Sequence, residues 1–285
     1  MAKLRSRTRI VTTLLALLAA GPAAPAAERS GAYLAELAWP EAGRRLAEAP
    51  VVILPFGPAA KEHGPHLPLN ADARVMEYLC EQAVVALPVL AAPPILHGWL
   101  PPFRQYPGTE VSDPTVFIRY VDEVARSLVR HGAKRVVFLN TSISKAGGLP
   151  LSIVARDVRE RTGTPTLVVS WDDLETPEID ALREEKRGTH AGEIETSIHL
   201  FLQPGLVRMD RAVPDYGREA VKGYPGYQPG LFSRDPKDPA FSETGVFGDP
   251  TRATAEKGRR ALAILTAQWL KALRGFADTP LPAGR

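Results

Sequence analysis

A chain of 285 residues with 45% hydrophobic and 24% charged side chains has apolar material for one substantial core, an ordinary balance for a globular protein. Its 35 basic and 32 acidic residues leave a net charge of +3 with no clustered basic face, so no nucleic-acid partner is expected. A single cysteine, Cys80, excludes an intrachain disulfide and reads as a small core residue within an apolar helical pattern.

The first segment stands apart. Lys3, Arg5, Arg7 and Arg9 precede the apolar run "IVTTLLALLAA", which is short for a bilayer, and "APA" at 24–26 offers small residues for cleavage. Residues 1–27 therefore read as a secretory signal peptide. The mature protein, residues 28–285, is then expected to be exported, periplasmic or secreted, with no membrane partner after cleavage. No cysteine follows the run closely and the arginines are not adjacent, which argues against lipidation and twin-arginine export. Without the four basic leader residues the balance becomes 31 against 32, so the basic character belongs to the leader.

Short apolar runs then alternate with amphipathic ones. "VVILPF" (51–56) reads as a buried strand ending at Pro55 and Gly57. Asp72 opens a helix with Val75, Met76, Leu79, Cys80 and Val84 on one face. "PVLAAPPIL" (88–96) reads as a strand whose end Pro93 and Pro94 push to an edge or the mouth of a sheet. Asp113 as N-cap, Pro114 in the first turn and Gly132 as a stop bound a helix striped by Phe117, Val121, Val124 and Leu128. "KRVVFLN" (134–140) is a strand, the segment after Gly148 a helix, and "PTLVVSW" (165–171) another strand. This rhythm predicts an α/β fold, a mainly parallel sheet covered on both faces. Between 204 and 250 a Gly-, Pro- and Tyr-rich stretch reads as an irregular excursion or lid, and Asp249 and Pro250 start a last helix.

Two segments carry chemistry. "KEHGPHLPLNAD" (61–72) follows the first strand, at the strand ends where α/β proteins place their sites. Glu62, His63, His66 and Asp72 supply the imidazole and carboxylate donors that suit zinc, manganese or iron. An aspartate can also bridge two cations about 3.5–4 Å apart. A lone histidine would read as a backbone-bonded loop residue, but two histidines and two acids in a loop stiffened by Gly and Pro point to a site. In "GTHAGEIETSIHLFL" (188–202), Ile194, Ile198, Phe201 and Leu202 form the apolar face of a helix with His190 near its start. Glu195 or Glu193 could bring a carboxylate beside that histidine; the alternative is that both are solvent-facing charges. His199, four residues after Glu195, reads as structural. Trp171, Trp99 and Tyr106 are candidates for lining a substrate pocket, or for the core.

The blocks "VVILPFGPAAKEHGPHLPLNAD", "YPGTEVS", "RHGAKRVVFLN", "THAGEIETS" and "GVFGDPTRATAEKG" resemble, in order, the signature blocks of the creatininase (creatinine amidohydrolase) family across nearly all of residues 39 to 260. The resemblance implies a three-layer αβα fold, a homo-oligomer that is usually a hexamer, and a two-metal site that hydrolyses non-peptide or unusual amide C–N bonds. Family substrates include cyclic amides such as creatinine, formamides and a peptide cofactor precursor, so a small-molecule amide is expected here. By position, His63 matches the family's first histidine ligand, Asp72 its bridging aspartate, His190 its catalytic histidine and Glu195 a glutamate ligand. Glu193 joins His190 as the other candidate catalytic residue.

Two blocks depart from the pattern. Lys61 occupies the column of a family glutamate ligand, and Glu62, next to it in a loop one residue longer than usual, could return to the metal through a bulge. After the strand at 134–140, Ser142 stands where the family has a metal-binding histidine and Lys145 where it has an asparagine. Ser142, Lys145, His66 and Trp171 are the candidate substrate-binding residues. The expectation is an exported metal-dependent amidohydrolase with one or two divalent ions, zinc or manganese before iron. Glu62, His63, Asp72 and Glu195 would hold the metal, and His190 would carry the proton to the leaving nitrogen. The alternative, favoured by Ser142 and Lys145, is an exported binding protein that kept the fold and lost the chemistry.

Overall fold

Residues 51–54 and 136–139 are apolar without interruption, so strands built from them need cover on both sides. The computed structural model describes residues 29–142, 144–186, 188, 190–216, 234–237 and 241–282, with only the backbone described at 102 and 144–147. Five parallel strands form one sheet: β1 (Ala32–Tyr33), β2 (Val52–Phe56), β3 (Leu90–Ala91), β4 (Val136–Asn140) and β5 (Thr166–Ser170), in the order β1-β3-β2-β4-β5. The described residues also form eight α-helices: α1 (Trp39–Glu48), α2 (Ala71–Ala86), α3 (Pro114–Arg130), α4 (Ser144–Thr162), α5 (Trp171–Leu174), α6 (Pro177–Asp180), α7 (Glu193–Leu202) and α8 (Ala255–Ala277).

The period of two along each strand sorts the core into two slabs. Ile53, Val137, Leu139 and Val169 face one way, onto Met76 and Leu79 of α2, Ile198 of α7 and Leu262, Leu265 and Trp269 of α8. Val52, Leu54, Phe56, Val136 and Phe138 face the other way, onto Leu46 of α1, Phe117 and Val121 of α3, and Val154 and Val158 of α4. The result is the expected three-layer αβα architecture. Trp269 is fully buried, and its indole N–H donates to the carbonyl of Leu79, tying α8 across α2. Cys80 lies in the first slab, where burial pushes its thiol up to about 12. On the same face α7 and α8 touch backbone to backbone at Gly258, where any Cβ would stand 1.9 Å from the carbonyl oxygen of Ser197.

The order of strands locates the site. From β2 the chain crosses through α2 to β3 on one side, then returns through α3 to β4 on the other side of β2. The carboxyl ends of β2 and β4 thus diverge into the crevice that a change in winding direction opens. Both departing blocks identified in the sequence, residues 61–72 and the turn after Asn140, leave from these two strand ends.

Some boundaries differ from the sequence reading. The strand expected over 88–96 contracts to Leu90–Ala91, because Pro93 and Pro94 have no N–H to offer a ladder; Ile95 makes only an isolated bridge with Phe56. Helix α2 begins at Ala71 behind Asn70, placing Asp72 inside its first turn. Helix α4 begins at Ser144 and runs through Pro150. Asp249 caps a short 3-10 turn over Pro250–Arg252, and Thr254 caps α8 by accepting from Lys257 N–H. The leader at 1–27 lies outside the described residues, as do 217–233 and 238–240 of the stretch at 204–250. No helix among the described residues is long and apolar enough to cross a membrane.

Candidate active site

The loop after β2 is held by backbone on both sides before any chemistry begins. Lys61 N–H donates to the Leu69 carbonyl, Glu62 N–H to Thr109 Oγ1, and Glu110 N–H to the Ala60 carbonyl, so residues 109–110 brace the loop from outside. Thr141, just past β4, donates its hydroxyl to the backbone carbonyl of Asp72 at 2.9 Å and locks the start of α2 to the neighbouring strand end. On the far wall Ala191 adopts a left-handed backbone with φ of 50°, uncommon for a residue with a Cβ, and its N–H donates to Glu195. That turn folds His190 against Glu195 in the first turn of α7.

A carbonyl oxygen can only accept, so it fixes one protonated nitrogen on each histidine. His63 Nδ1 lies 2.9 Å from the Lys61 carbonyl and therefore donates, while Nε2 is 3.0 Å from Asp72 Oδ1. His190 Nε2 lies 3.0 Å from the Glu62 carbonyl and 3.2 Å from Glu62 Oε2, so it donates and turns Nδ1 toward Glu195 Oε2 at 3.8 Å. The rings of His63 and His190 are 5.0 Å apart, and Phe103 lies against His190 at 4.7 Å. Among the described residues, one atom each from His63, His190 and Glu195 lies within 4.8 Å of the other two. Two imidazole donors and a carboxylate converging in this way fit a divalent ion of borderline softness, such as zinc or manganese.

The lysine at 61 is the unexpected member. Its side chain is 1% exposed, its Nζ lies 2.6 Å from Asp72 Oδ2 and 3.5 Å from Ser142 Oγ, and it stands 5.2 Å from the centre of the Phe103 ring. Asp72 is therefore shared between an ammonium and an imidazole, one on each oxygen. Burial works against its ionisation, but Lys61 and then His63 outweigh it and hold the carboxyl far below the usual range. Glu62 and Glu195 are likewise lowered against burial, Glu62 chiefly by His190, and Glu195 by His190, His63 and Lys61. Burial also drives His66 down to about 4, keeping it neutral while its Nε2 pairs with Thr196 Oγ1 at 2.8 Å.

The structure thus brings together His63, His190, Glu195, Glu62 and Asp72. Glu62 reaches the cluster by pairing with His190 rather than as one of the three converging donors. Gly245 makes room for it: with φ of 77°, a Cβ there would fall 2.0 Å from Glu62 Oε1. Ser142 is buried at the rim, with its N–H bonded to Asn140 Oδ1, while the Lys145 side chain lies outside the described residues. His66 sits behind the cluster, on Thr196 of α7.

Glu193 takes a different position. Its buried carboxylate accepts from the N–H groups of Glu184 and Glu185 and from Lys257 of α8, so it is a bracket beneath the site rather than a group in it. The Trp171 indole donates to Glu175, Trp99 packs on the second core slab, and the Tyr106 hydroxyl donates to the Ser242 carbonyl. His199 is structural as read, but it is buried and accepts from Gln203 rather than pairing with Glu195. Sequence reasoning gave no role to Phe103 or Gly245. For the latter, glycine at the head of "GVFGDP" was a usable signal.

The sequence and the fold have known counterparts. The family model for creatininase, described as creatinine amidohydrolase, matches residues 35–273. The creatinine amidohydrolase of Pseudomonas putida is 28% identical over 263 residues, spanning 86% of this chain and 95% of that protein. A mycofactocin precursor peptide peptidase of Mycolicibacterium smegmatis is 28% identical over 220 residues, 75% of this chain and 80% of that one. A manganese creatininase structure superposes with a TM-score of 0.73 at 26% identity, covering 87% of this chain and 100% of the other. A zinc–zinc form of a creatininase variant gives 0.70 at 26% identity over 87% and 98%.

Proposed function

The chain belongs to the creatininase family, and from that premise we propose that it is a metal-dependent amidohydrolase acting on a non-peptide or cyclic amide. One observation supports the reading above the others. Two histidines, each oriented by a backbone carbonyl, and the Glu195 carboxylate place one ligand atom apiece within 4.8 Å of one another at the strand-switch crevice. His63 and Glu195 would hold the ion, with Asp72 Oδ1 beside His63 Nε2. The chemistry such an ion supplies is Lewis acidity, toward a carbonyl oxygen and toward water.

His190 is the proton carrier in this reading. Its Nε2 is committed to Glu62, which fixes the ring and provides a counter-charge when a proton arrives on Nδ1. A water at the rim gives its proton to Nδ1 as its oxygen joins the amide carbon. The same proton then passes to the nitrogen as the C–N bond breaks, giving a carboxylic acid, which loses its remaining proton to the amine or to solvent, and an amine. Phe103 and Lys61 close the wall behind the ring and keep bulk water from the transfer path. Creatinine and a precursor peptide, named for the relatives, mark the range of amides to try.

The leader composition supports export as part of the same proposal, and the resemblance supports a homo-oligomer. Val116 and Tyr120 on α3 and Leu149 and Ile153 on α4 are exposed apolar residues that such an assembly would cover. The test is hydrolysis of a panel of cyclic and linear amides before and after chelation, with zinc or manganese added back. Amide hydrolysis that survives complete metal removal would sink the proposal.

A further inference from the structure

We propose that Lys61 is a built-in cation that occupies the place of a second metal ion, so that the centre of this chain is mononuclear. The inference rests on the metal-dependent reading above and goes beyond it by fixing the number of ions and the residue that sets it.

Two observations carry it. First, Asp72 has one oxygen at His63 and the other at Lys61, so the side of the carboxylate that could face another ion already faces an ammonium at 2.6 Å. Second, Asp72 aside, Ser142 and Phe103 beside that ammonium are poor ligands or none. Ser142 Oγ is 3.5 Å from Nζ, a hydroxyl that is a poor donor to a borderline divalent ion, and the Phe103 ring covers another side. A second divalent ion at that place would be buried directly against the lysine's ammonium, which a site this closed does not tolerate. The lysine is not a surface residue that strayed inward: it is 1% exposed and its own backbone carbonyl orients His63.

The experiment is metal counting on the intact protein, by elemental analysis and native mass spectrometry after equilibration with Mn2+, together with electron paramagnetic resonance. One ion per chain and an uncoupled six-line manganese spectrum are expected for the wild type. Lys61→Glu combined with Ser142→His should raise the count to two and give a spin-coupled spectrum. Two ions in the wild type would overturn the inference and leave the hydrolase reading intact, whereas none would remove the metal centre and both readings with it. One ion in both proteins would also overturn it, since Lys61 would not then be what excludes the second. Should the double variant fold poorly, the wild-type count and spectrum decide the matter alone.

Discussion

The ammonium of Lys61 and the carboxylate of Asp72 meet at 2.6 Å with both side chains nearly closed to solvent. A pair so buried gains little over an apolar pair of the same volume, but removing one partner leaves a stranded charge that costs about 3–5 kcal/mol. Lys61→Met and Asp72→Asn should each destabilise the fold by about that amount. The double variant should recover most of the loss, because neither charge is left alone. Urea unfolding of the four proteins completes the cycle. Additive losses in the double variant would mean that the two charges do not depend on each other.

The roles of His63 and His190 separate by metal content. His63→Ala removes a donor whose ring is oriented by the Lys61 carbonyl, so both bound metal and amide hydrolysis should disappear. His190→Gln should keep the metal and lower kcat by about 10²–10⁴, the usual contribution of a positioned proton carrier. Metal lost from His190→Gln would instead make Nδ1 a required ligand, which its convergence with His63 and Glu195 also permits geometrically.

Much of this was legible in the sequence, for identifiable reasons. The strands at 51–56 and 134–140 hold uninterrupted apolar runs, 51–54 and 136–139, and Asp113–Pro114 and Gly132 bracket α3 as caps do. The loop at 61–72 reads as a site because four donors share twelve residues. Lys61 did not declare itself. A lysine in a polar loop reads as solvated, and only the fold shows that Asp72, eleven residues on, and Phe103, brought in from beyond β3, close over it. Glu193 misled for the converse reason. Two glutamates on one helical turn look equivalent, yet one turns toward His190 and the other toward α8, 64 residues away in sequence. Long-range partners of that kind leave no local pattern.

Glu193 should therefore behave as a bracket. Its carboxylate accepts at 2.6 and 2.8 Å from two backbone N–H groups and pairs with Lys257. Hydrogen bonds to a buried charged group contribute about 1.5–3 kcal/mol each, and Glu193→Gln keeps the shape while weakening them. The expected result is a loss of about 2–4 kcal/mol in denaturant unfolding with metal stoichiometry unchanged. A variant of normal stability that had lost turnover would restore Glu193 to the chemistry.

Acid sensitivity should trace in part to His199. Burial in α7, followed by the nearby His63, lowers its pKa from 6.5 to about 4, and its Nδ1 accepts from Gln203, which reaches Asn70 at the head of α2. The unfolded chain takes up a proton as the pH falls through 6.5, while the folded protein refuses it until about 4. Between those values the unfolded state binds more protons, so stability must fall as the pH falls. At pH 5 the loss from this one group is on the order of 2 kcal/mol relative to pH 7.5. His199→Gln keeps an acceptor for Gln203 and cannot titrate. Unfolding free energies measured at pH 7.5 and pH 5 should differ less in this variant than in the wild type by about that amount. An identical pH dependence in the two proteins would show that His199 is protonated as readily in the fold as outside it.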